Sequence, residues 1–248
     1  MINFEQLNNL KKHLNRSAST IFVIGQGIDY KDDVLWKNDI VKSLYSESID
    51  KVRESWCELL NSGNNPVKVP FISSYTHYVN ETALINLASF YILNTSITAD
   101  IGDCSKNTVT INLNGLLHKG VCKKTGIVKD VKNSCETDRL IPAFVPASEN
   151  YKPFREVVDE LEQFIEKQEV RSIIFLGCSG NCPVVESIYN RALIRSAAKD
   201  PVFKCIVNPT ETYMDDQADL VIREDAKEFL EYLASTFKDK DAERFFNV

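Results

Sequence analysis

The stretch Ile21–Tyr30, with the sequence IFVIGQGIDY, constrains the fold of this chain more than any other. Its first four residues are β-branched or aromatic, which is typical of a strand that is buried on both faces. Gly25 and Gly27 follow, and residues without a Cβ permit a sharp turn and a close approach of the backbone to a ligand. A buried strand followed by G-x-G opens dinucleotide-binding α/β domains, where backbone N–H groups meet a pyrophosphate. A plain tight turn has the same pattern, and no third glycine follows here.

Strands and helices alternate along the rest of the chain. An amphipathic segment precedes the first strand, with apolar residues at helical spacing from Ile2 to Leu14. Apolar or alternating runs predict later strands at 90–93, 108–113, 172–176, 203–207 and 220–222. Helical periodicity predicts helices at 40–60, 76–89, 155–168, 184–198 and 225–237. This alternation predicts the α/β class: a Rossmann-like, doubly wound, mostly parallel sheet with helices on both faces.

The lysine-rich stretch Gly120–Cys135 lacks a clear period, and we interpret it as a small excursion from the main fold. We therefore expect a single domain over residues 1–248, with a small degenerate insertion module at about 116–140. A chain of 248 residues, of which 44% are hydrophobic, is sufficient for a sizeable core.

Composition argues against several classes of protein. The formal net charge is -6 and no basic stripe is present, so a nucleic-acid partner is not expected. The longest apolar runs are much shorter than the roughly 18 residues of a membrane span, so no membrane partner is expected either. The polar N-terminus lacks the apolar core of a signal peptide, and a cytoplasmic location is the expectation. Seven cysteines spread over the chain do not suggest a disulfide framework.

Three stretches stand out in order along the chain. They are the opening strand with its G-x-G, the segment Leu176–Pro183 (LGCSGNCP), and Val207-Asn208-Pro209 followed by Ala218–Ile222 and Asp225-Ala226. Taken together, they resemble the sirtuin family of NAD-dependent deacylases and ADP-ribosyltransferases. The middle segment looks most like the macrodomain-associated branch, which ADP-ribosylates lipoyl-carrier proteins. Leu140-Ile-Pro142 fits the segment that follows the zinc module in that branch. The resemblance spans nearly the whole chain and implies a Rossmann-like protein that binds NAD or ADP-ribose.

The resemblance also implies which residues hold this cofactor. They are Gly25, Gln26, Gly27, Asp29, Ser96, Gly177, Ser179, Asn181 and Asn208. At some of these positions a second interpretation stays open. Asp29 holds a ribose hydroxyl or caps the next element. The segment Gly177–Pro183 contacts the ligand or is an ordinary strand-to-helix turn with Pro183 at the first helical position. Within it, Cys178 and Cys182 are small packing residues or a reactive pair.

Asn114, which precedes Gly115, takes the place of the family's catalytic histidine. An amide does not titrate near neutral pH, so Asn114 would position the reacting ribose by hydrogen bonding rather than act as a general base. Asn-Gly after an alternating strand is also a common hairpin turn. His118 lies nearby, and it either replaces the lost base or lies on the surface of a lysine-rich loop.

Other departures from the family pattern bear on the chemistry. The family's Gly-Ile-Pro-Asp-Phe-Arg run after the glycines is absent. Ser96 and Thr98 stand where the family's ribose motif has Asn and Asp. The four zinc cysteines are reduced to Cys122 and Cys135, and zinc is not expected because a structural zinc site needs four ligands.

Two hypotheses of different class follow. In the first, the protein is an NAD-dependent ADP-ribosyltransferase that acts on an acceptor protein, or a weak lysine deacylase. In the second, it is a catalytically inactive pseudo-sirtuin that binds a nucleotide or a protein partner. The combined loss of the ribose motif, the Phe-Arg run and the zinc cysteines favours the second hypothesis. The missing histidine alone does not abolish transferase chemistry, since the macrodomain-associated branch also departs from the deacylase pattern at that position.

Overall fold

The computed structural model describes residues 4–16, 19–28, 54, 56–58, 60–61, 67–82, 89–96, 98–113, 115–122, 124–131, 140–144, 159, 161, 163–165, 170–180, 182–197 and 201–238. Its helices are α1 (Phe4–Arg16), α2 (Pro70–Thr82), α3 (Pro183–Ala197) and α4 (Ala226–Lys238). Short 3₁₀ turns lie at Gln26–Ile28 and Asp215–Gln217. Further helical residues are described within 54–61 and 159–165.

The strands form three sheets. They are β1 (Ser19–Ile24), β2 (Val67–Lys68), β3 (Ser89–Asn94), β4 (Ala99–Asp100), β5 (Thr108–Asn112), β6 (Gly115–Cys122), β7 (Val128–Asp130), β8 (Leu140–Phe144), β9 (Ser172–Leu176), β10 (Phe203–Val207) and β11 (Leu220–Ile222). The large sheet is parallel throughout and has the order β11-β10-β9-β1-β3-β5. A small antiparallel sheet has the order β7-β6-β8, and β2 pairs with β4.

The strand order is that of a doubly wound sheet. From the central β1 the chain moves outward through β3 to β5, and it later returns to the other side of β1 for β9, β10 and β11. β1 pairs with β3 on one side and with β9 on the other, so that Ile21 is aligned with both Tyr91 and Ile173. The predicted fold class is therefore confirmed.

Both faces of β1 are covered, as its sequence predicts. Ile21 and Val23 belong to a core cluster that includes residues of α3. Phe22 and Ile24 belong to a second core cluster, with residues of α1, α2 and α4. Because neighbouring residues of a strand point to opposite faces, an uninterrupted apolar run buries both sides of the sheet at once.

Most predicted strands are found where the sequence places them. Those at 172–176, 203–207 and 220–222 have the predicted bounds. The helix predicted at 76–89 is displaced, since α2 begins at Pro70 and ends at Thr82. A proline suits the first helical position because its missing N–H would have no partner there. Phe71, Ile72 and Tyr75 supply the buried stripe of α2, whereas the prediction relied on a later apolar pattern that continues into 83–88, outside the described residues.

The excursion is more regular than its sequence suggests. β6 pairs with β7 and β8 to form the small antiparallel sheet within 115–144. Trp56 is fully buried against it, and its indole N–H donates to Leu117 O at 2.8 Å. The periodicity was weak because β7 is exposed along its whole length and so shows no alternation. That the chain is a single domain stays a prediction.

The helices predicted at 40–60 and 155–168 fall largely outside the described residues. None of the helices described has the length and apolar character needed to cross a bilayer.

Candidate functional site

The carboxyl ends of the six parallel strands lie along one edge of the large sheet. The strand order reverses between β1 and β9, and the loops after these two strands begin at Gly25 and Gly177. In doubly wound sheets, ligands bind in the crevice outside the carboxyl ends of the strands, at the point of reversal. The residues that the sequence suggested for the site follow β1, β3, β9 and β10, so the fold brings their loops to this edge.

The loops after β1 and β9 touch each other through their backbones. A Cβ on Gly25 would lie 2.2 Å from Gly177 O, and a Cβ on Gly27 would lie 2.9 Å from the same atom. Gly177 has a φ of 63°, a conformation that residues with side chains rarely adopt. The contact between the loops therefore requires all three glycines, independently of any ligand.

Main-chain hydrogen bonds hold the same junction together. Gly25 N donates to Leu176 O at 2.8 Å, and Gly27 N donates to Gly177 O at 3.0 Å. These two N–H groups, which the G-x-G pattern suggested for a pyrophosphate, are thus used within the protein. Gln26 lies between them, half-buried in the 3₁₀ turn. Contacts of these residues with a cofactor stay a prediction.

Side chains of the turn after β3 form hydrogen bonds with the backbone of the same turn. Ser96 is fully buried, and its hydroxyl accepts hydrogen bonds from Thr98 N at 3.2 Å and from Ala99 N at 3.1 Å. Asn94 is fully buried as well. Its Oδ1 accepts from Ser96 N at 3.0 Å, and its amide donates to Asn112 Oδ1 at 2.9 Å. In this conformation Ser96 has no exposed surface, so a contact between its side chain and a ribose would require the turn to change.

Asn208 follows β10 and begins a network of polar groups. It is 6% exposed, and its amide donates to the carbonyl oxygen and the hydroxyl of Thr210 at 2.9 and 3.0 Å. Arg223 donates to Thr210 O at 3.0 Å and forms an ion pair with Asp215. Burial raises the pKa of Asp215, but hydrogen bonds from Arg223 and Thr212 outweigh that effect and hold the pKa below its usual value. The loop 208–215 is therefore fixed by its own side chains and by Arg223, which follows β11.

The loop after β9 presents Ser179, which is exposed. Gly180 follows with a φ of 85°, and a Cβ there would lie 2.4 Å from Cε1 of Tyr213. The hydroxyl of Tyr213 donates to Gly180 O at 3.2 Å, which joins this loop to the one after β10. α3 then begins at Pro183, so the predicted strand-to-helix turn is confirmed. A contact of Ser179 with the ligand stays a prediction.

The two cysteines of this loop lie in different surroundings. Cys178 is buried, its thiol donates to Val23 O at 3.4 Å, and burial raises its pKa well above the usual value. It is therefore a packing residue rather than a nucleophile. Cys182 is half-buried and packs against the same core cluster.

Three of the predicted site residues, Asp29, Asn114 and Asn181, lie outside the described residues. Gly115, next to Asn114, has a φ of 73°, and the strands on either side, β5 and β6, belong to different sheets. The interpretation of Asn-Gly as a hairpin turn is therefore wrong. His118 is half-buried within β6, so its interpretation as a surface residue of a loop is wrong too.

A group of three or more His, Cys, Asp or Glu that would hold a metal ion is not found in the described part of the chain. Cys122 lies at the end of β6, while Cys135 is outside the described residues. Hydrogen bonds from the hydroxyl of Thr125 and from the N–H of Lys124 lower the pKa of the Cys122 thiol to about 7. The expected absence of zinc stays a prediction.

Sequence reasoning missed four residues that shape this edge: Asn94, Tyr213, Asp215 and Arg223. A signal existed for Asn94, because a polar residue that ends an otherwise apolar strand must find hydrogen-bond partners when it is buried. The others carry no such signal, since their partners are set by the way in which the loops after β9, β10 and β11 meet.

The same architecture is found in solved structures of Sir2 homologues. A mutant Sir2 homologue in complex with ADP-ribose matches with a TM-score of 0.64 at 17% identity, covering 92% of this chain and 94% of that chain. A Sir2 homologue in complex with NAD matches with a TM-score of 0.61 at 17% identity, over 92% of each chain. This chain has the sirtuin fold. No protein-family model matches the sequence, and no curated protein matches it.

Two further solved structures share the sirtuin fold. A Sir2 bound to an acetylated peptide matches with a TM-score of 0.60 at 19% identity, over 92% of this chain and 97% of that chain. A histidine-to-asparagine mutant of a Sir2 homologue, in complex with ADP-ribose, matches with a TM-score of 0.62 at 17% identity, over 94% and 97%. The likeness extends over nearly the full length of each chain, and at these identities it establishes the fold.

Proposed function

We propose that the protein binds NAD or ADP-ribose at the carboxyl edge of its large sheet and transfers ADP-ribose to an acceptor protein. The observation that carries this proposal is the backbone contact between the loops after β1 and β9, located where the strand order reverses. Solved structures with this fold include complexes with NAD and with ADP-ribose.

Transfer of ADP-ribose requires few catalytic groups from this chain. The bond between nicotinamide and the ribose of NAD breaks, nicotinamide leaves, and a nucleophile of the acceptor attaches to the ribose carbon and loses its proton. The protein then needs to bind and orient the two reactants. Asn114 suits the orienting role, because an amide donates and accepts hydrogen bonds without titrating. In one Sir2 homologue, a histidine-to-asparagine replacement is compatible with an ADP-ribose complex.

Deacylation of lysine requires one more catalytic group than transfer does, because the collapse of its intermediate needs a base at the ribose. Losing a positioned general base typically costs about 10²–10⁴-fold in rate. We therefore propose that deacylation of lysine is weak and that the main products from NAD are nicotinamide and ADP-ribose, free or attached to the acceptor.

A catalytically inactive pseudo-sirtuin is the second candidate, and the turn after β3 favours it. Ser96 and Asn94 are fully buried, and both form hydrogen bonds with neighbouring residues of this chain. These intramolecular hydrogen bonds occupy the place of the family's ribose motif. A nucleotide would then bind at the loops after β1, β9 and β10 without being oriented for transfer.

Calorimetry with NAD, ADP-ribose and nicotinamide, together with chromatography of NAD incubated with the protein, tests the proposal. We expect ADP-ribose to bind and NAD to release nicotinamide, with release reduced in Asn114→Ala. Asn190→Ala removes an exposed asparagine from α3 and is the matched control. Binding without release would favour the pseudo-sirtuin. If neither nucleotide binds at millimolar concentration, or if the unmodified chain deacetylates lysine peptides robustly, the proposal is wrong.

A further inference from the structure

The outer edge of the large sheet at β5 has no neighbouring strand in the part of the chain that the structure describes. The pairing of β5 with β3 fixes which of its main-chain groups point outward. Leu113 N donates to Asn94 O of β3 at 2.8 Å, and residues two apart on a strand point their main-chain groups to the same side. The N–H and C=O groups of Thr108, Thr110 and Asn112 therefore point away from β3.

Solvent reaches this edge of β5. Thr110 and Asn112 are exposed, and so is Val109, of which 40% is accessible. Thr108 N already donates to Ser105 O at 3.0 Å. The hydrogen bonds of the described residues use none of the other outward groups, which are the C=O of Thr108 and both main-chain groups of Thr110 and Asn112. The edge thus presents two donors and three acceptors in a row.

Two other edge strands of the protein are protected against pairing, whereas β5 is not. At the opposite edge of the large sheet, Val221 O of β11 accepts a hydrogen bond from the side-chain amide of Gln6, on α1, at 3.0 Å. In the small sheet, the edge strand β7 carries the exposed Lys129 at its centre. Covering an edge with a helix and placing lysine on it are two ways of preventing edge-to-edge association. β5 has the sequence TVTIN, without a charge or a proline, and its register with β3 is regular along its whole length.

The residues of β5 are complementary to those of a second, antiparallel β5. A pair centred on Thr110 places Thr110 opposite Thr110, Thr108 opposite Asn112, and Val109 opposite Ile111. The two Thr110 residues exchange their N–H···O bonds, and each Asn112 N–H donates to the Thr108 carbonyl of the other copy. Thr108 N keeps its bond within its own chain, so the outward groups that are still open are the ones that the pair uses. Opposed β-branched residues such as valine and isoleucine stabilise an antiparallel pair.

We propose that β5 is an interaction surface for a second copy of this chain, and that the two β5 strands pair across a twofold axis to form one continuous sheet. The same arrangement of β7 would place Lys129 opposite Lys129, and like charges directly opposite each other destabilise a pair. Because a twofold pair occupies β5 in both copies, association stops at the dimer. This inference goes beyond the proposed function and does not depend on it.

Sedimentation equilibrium of the full chain, from micromolar to sub-millimolar concentration, tests the inference. We expect the wild type to form a species of twice the mass of one chain. Val109→Lys is expected to raise the Kd of the dimer about tenfold or more, because it places lysines within the paired edge. Thr110→Pro should have a similar effect, since it removes the central N–H donor, and an outward-pointing N–H of an edge strand can be lost without unpairing β5 from β3. Val128→Lys, which changes an exposed valine on the edge strand β7, is the matched control and is expected to leave the Kd unchanged.

Hydrogen exchange measured by NMR tests the alternation of the edge residues. The amides of Thr110 and Asn112 are expected to exchange more slowly as the concentration is raised and the dimer forms. The amides of Val109 and Ile111, which point toward β3, are expected to exchange at a rate that does not depend on concentration. In the Val109→Lys variant, the slowing at Thr110 and Asn112 should disappear.

Each outcome supports or overturns the pairing. A wild type that stays monomeric at all concentrations overturns it, and so does association that continues beyond the dimer. A dimer that Val109→Lys leaves intact, or that Val128→Lys weakens equally, forms through another surface. Should Thr110→Pro fold poorly, Val109→Lys decides, because the side chain of Val109 is exposed and its replacement leaves the core unchanged.

Discussion

The two halves of the carboxyl edge are built in opposite ways. Around β1 and β9 the loops meet through main-chain atoms, with glycines at the closest points and Ser179 exposed nearby. Around β3 and β5, amide and hydroxyl side chains hydrogen-bond to one another, with the buried Asn94 and Ser96 at the centre. The first half is held together by main-chain contacts, whereas the second half is held together by side-chain hydrogen bonds. Two halves of one sheet edge can thus be stabilised by different kinds of contact.

The largest expected effect concerns the glycine half. In Gly25→Ala the new Cβ would lie 2.2 Å from Gly177 O, and both partners are backbone, so the loops must separate. We expect a loss of about 3 kcal/mol or more in the free energy of unfolding, at the upper end of overpacking costs. Thermal unfolding followed by circular dichroism measures it. Gly102→Ala, where nothing lies within 4 Å of the new Cβ, is the control, and it is a stringent one because Gly102 has a positive φ that Gly25 does not have. If Gly25→Ala destabilises the protein no more than Gly102→Ala does, the contact between the loops does not require the glycine.

A smaller effect is expected in the side-chain half. Ser96→Ala leaves the N–H groups of Thr98 and Ala99 without their buried acceptor, which costs about 1–3 kcal/mol. Ser235→Ala, on the exposed side of α4, is the matched control. Chemical and thermal denaturation measure the effect. If Ser96→Ala has the same unfolding midpoint as the wild type in both, this hydroxyl does not stabilise the turn. The contrast between the two halves would then be weaker than we describe.

The smallest effect concerns the anchored loop after β10. The lowered pKa of Asp215 means that its contribution to stability is present above its unfolded pKa of about 3.9 and is lost as the pH falls through the folded value. We expect Asp215→Asn to be less stable than the wild type by about 1 kcal/mol at pH 7, because a partly exposed ion pair contributes little more. The difference in unfolding temperature should narrow as the pH is lowered below about 4. A difference that is constant with pH would exclude the carboxylate as its cause.

The large sheet could be predicted from the sequence because each buried strand is marked by its own residues. The runs SIIFL at 172–176 and FKCIV at 203–207 are local signals, and the structure places strands at those residues. The closed turn after β3 could not be predicted in the same way. Its key hydrogen bond joins Asn94 to Asn112, on a neighbouring strand 18 residues later in the sequence, and no spacing rule relates the two residues.

The contacts between the loops could not be predicted for the same reason. The sequence predicts that Gly25, Gly27 and Gly177 hold a cofactor, and that role stays a prediction. In the structure each of them packs against the backbone of the other loop, which only the pairing of β1 with β9 reveals. No sequence pattern indicates Tyr213, because its hydrogen bond is to Gly180 in a different loop. Residues that act through contacts between loops cannot be identified from the sequence before the fold is known.

The junction between β1 and β9 also has a consequence for the synthesis of the protein. Val23 and Cys178, whose contact lies beside it, are 155 residues apart in the sequence. On the ribosome, β1, β3 and β5 are therefore synthesised well before β9, and during that interval one edge of the buried strand β1 has no neighbour. Such an edge can pair with other chains, so we expect nascent chains at this stage to be exposed to aggregation.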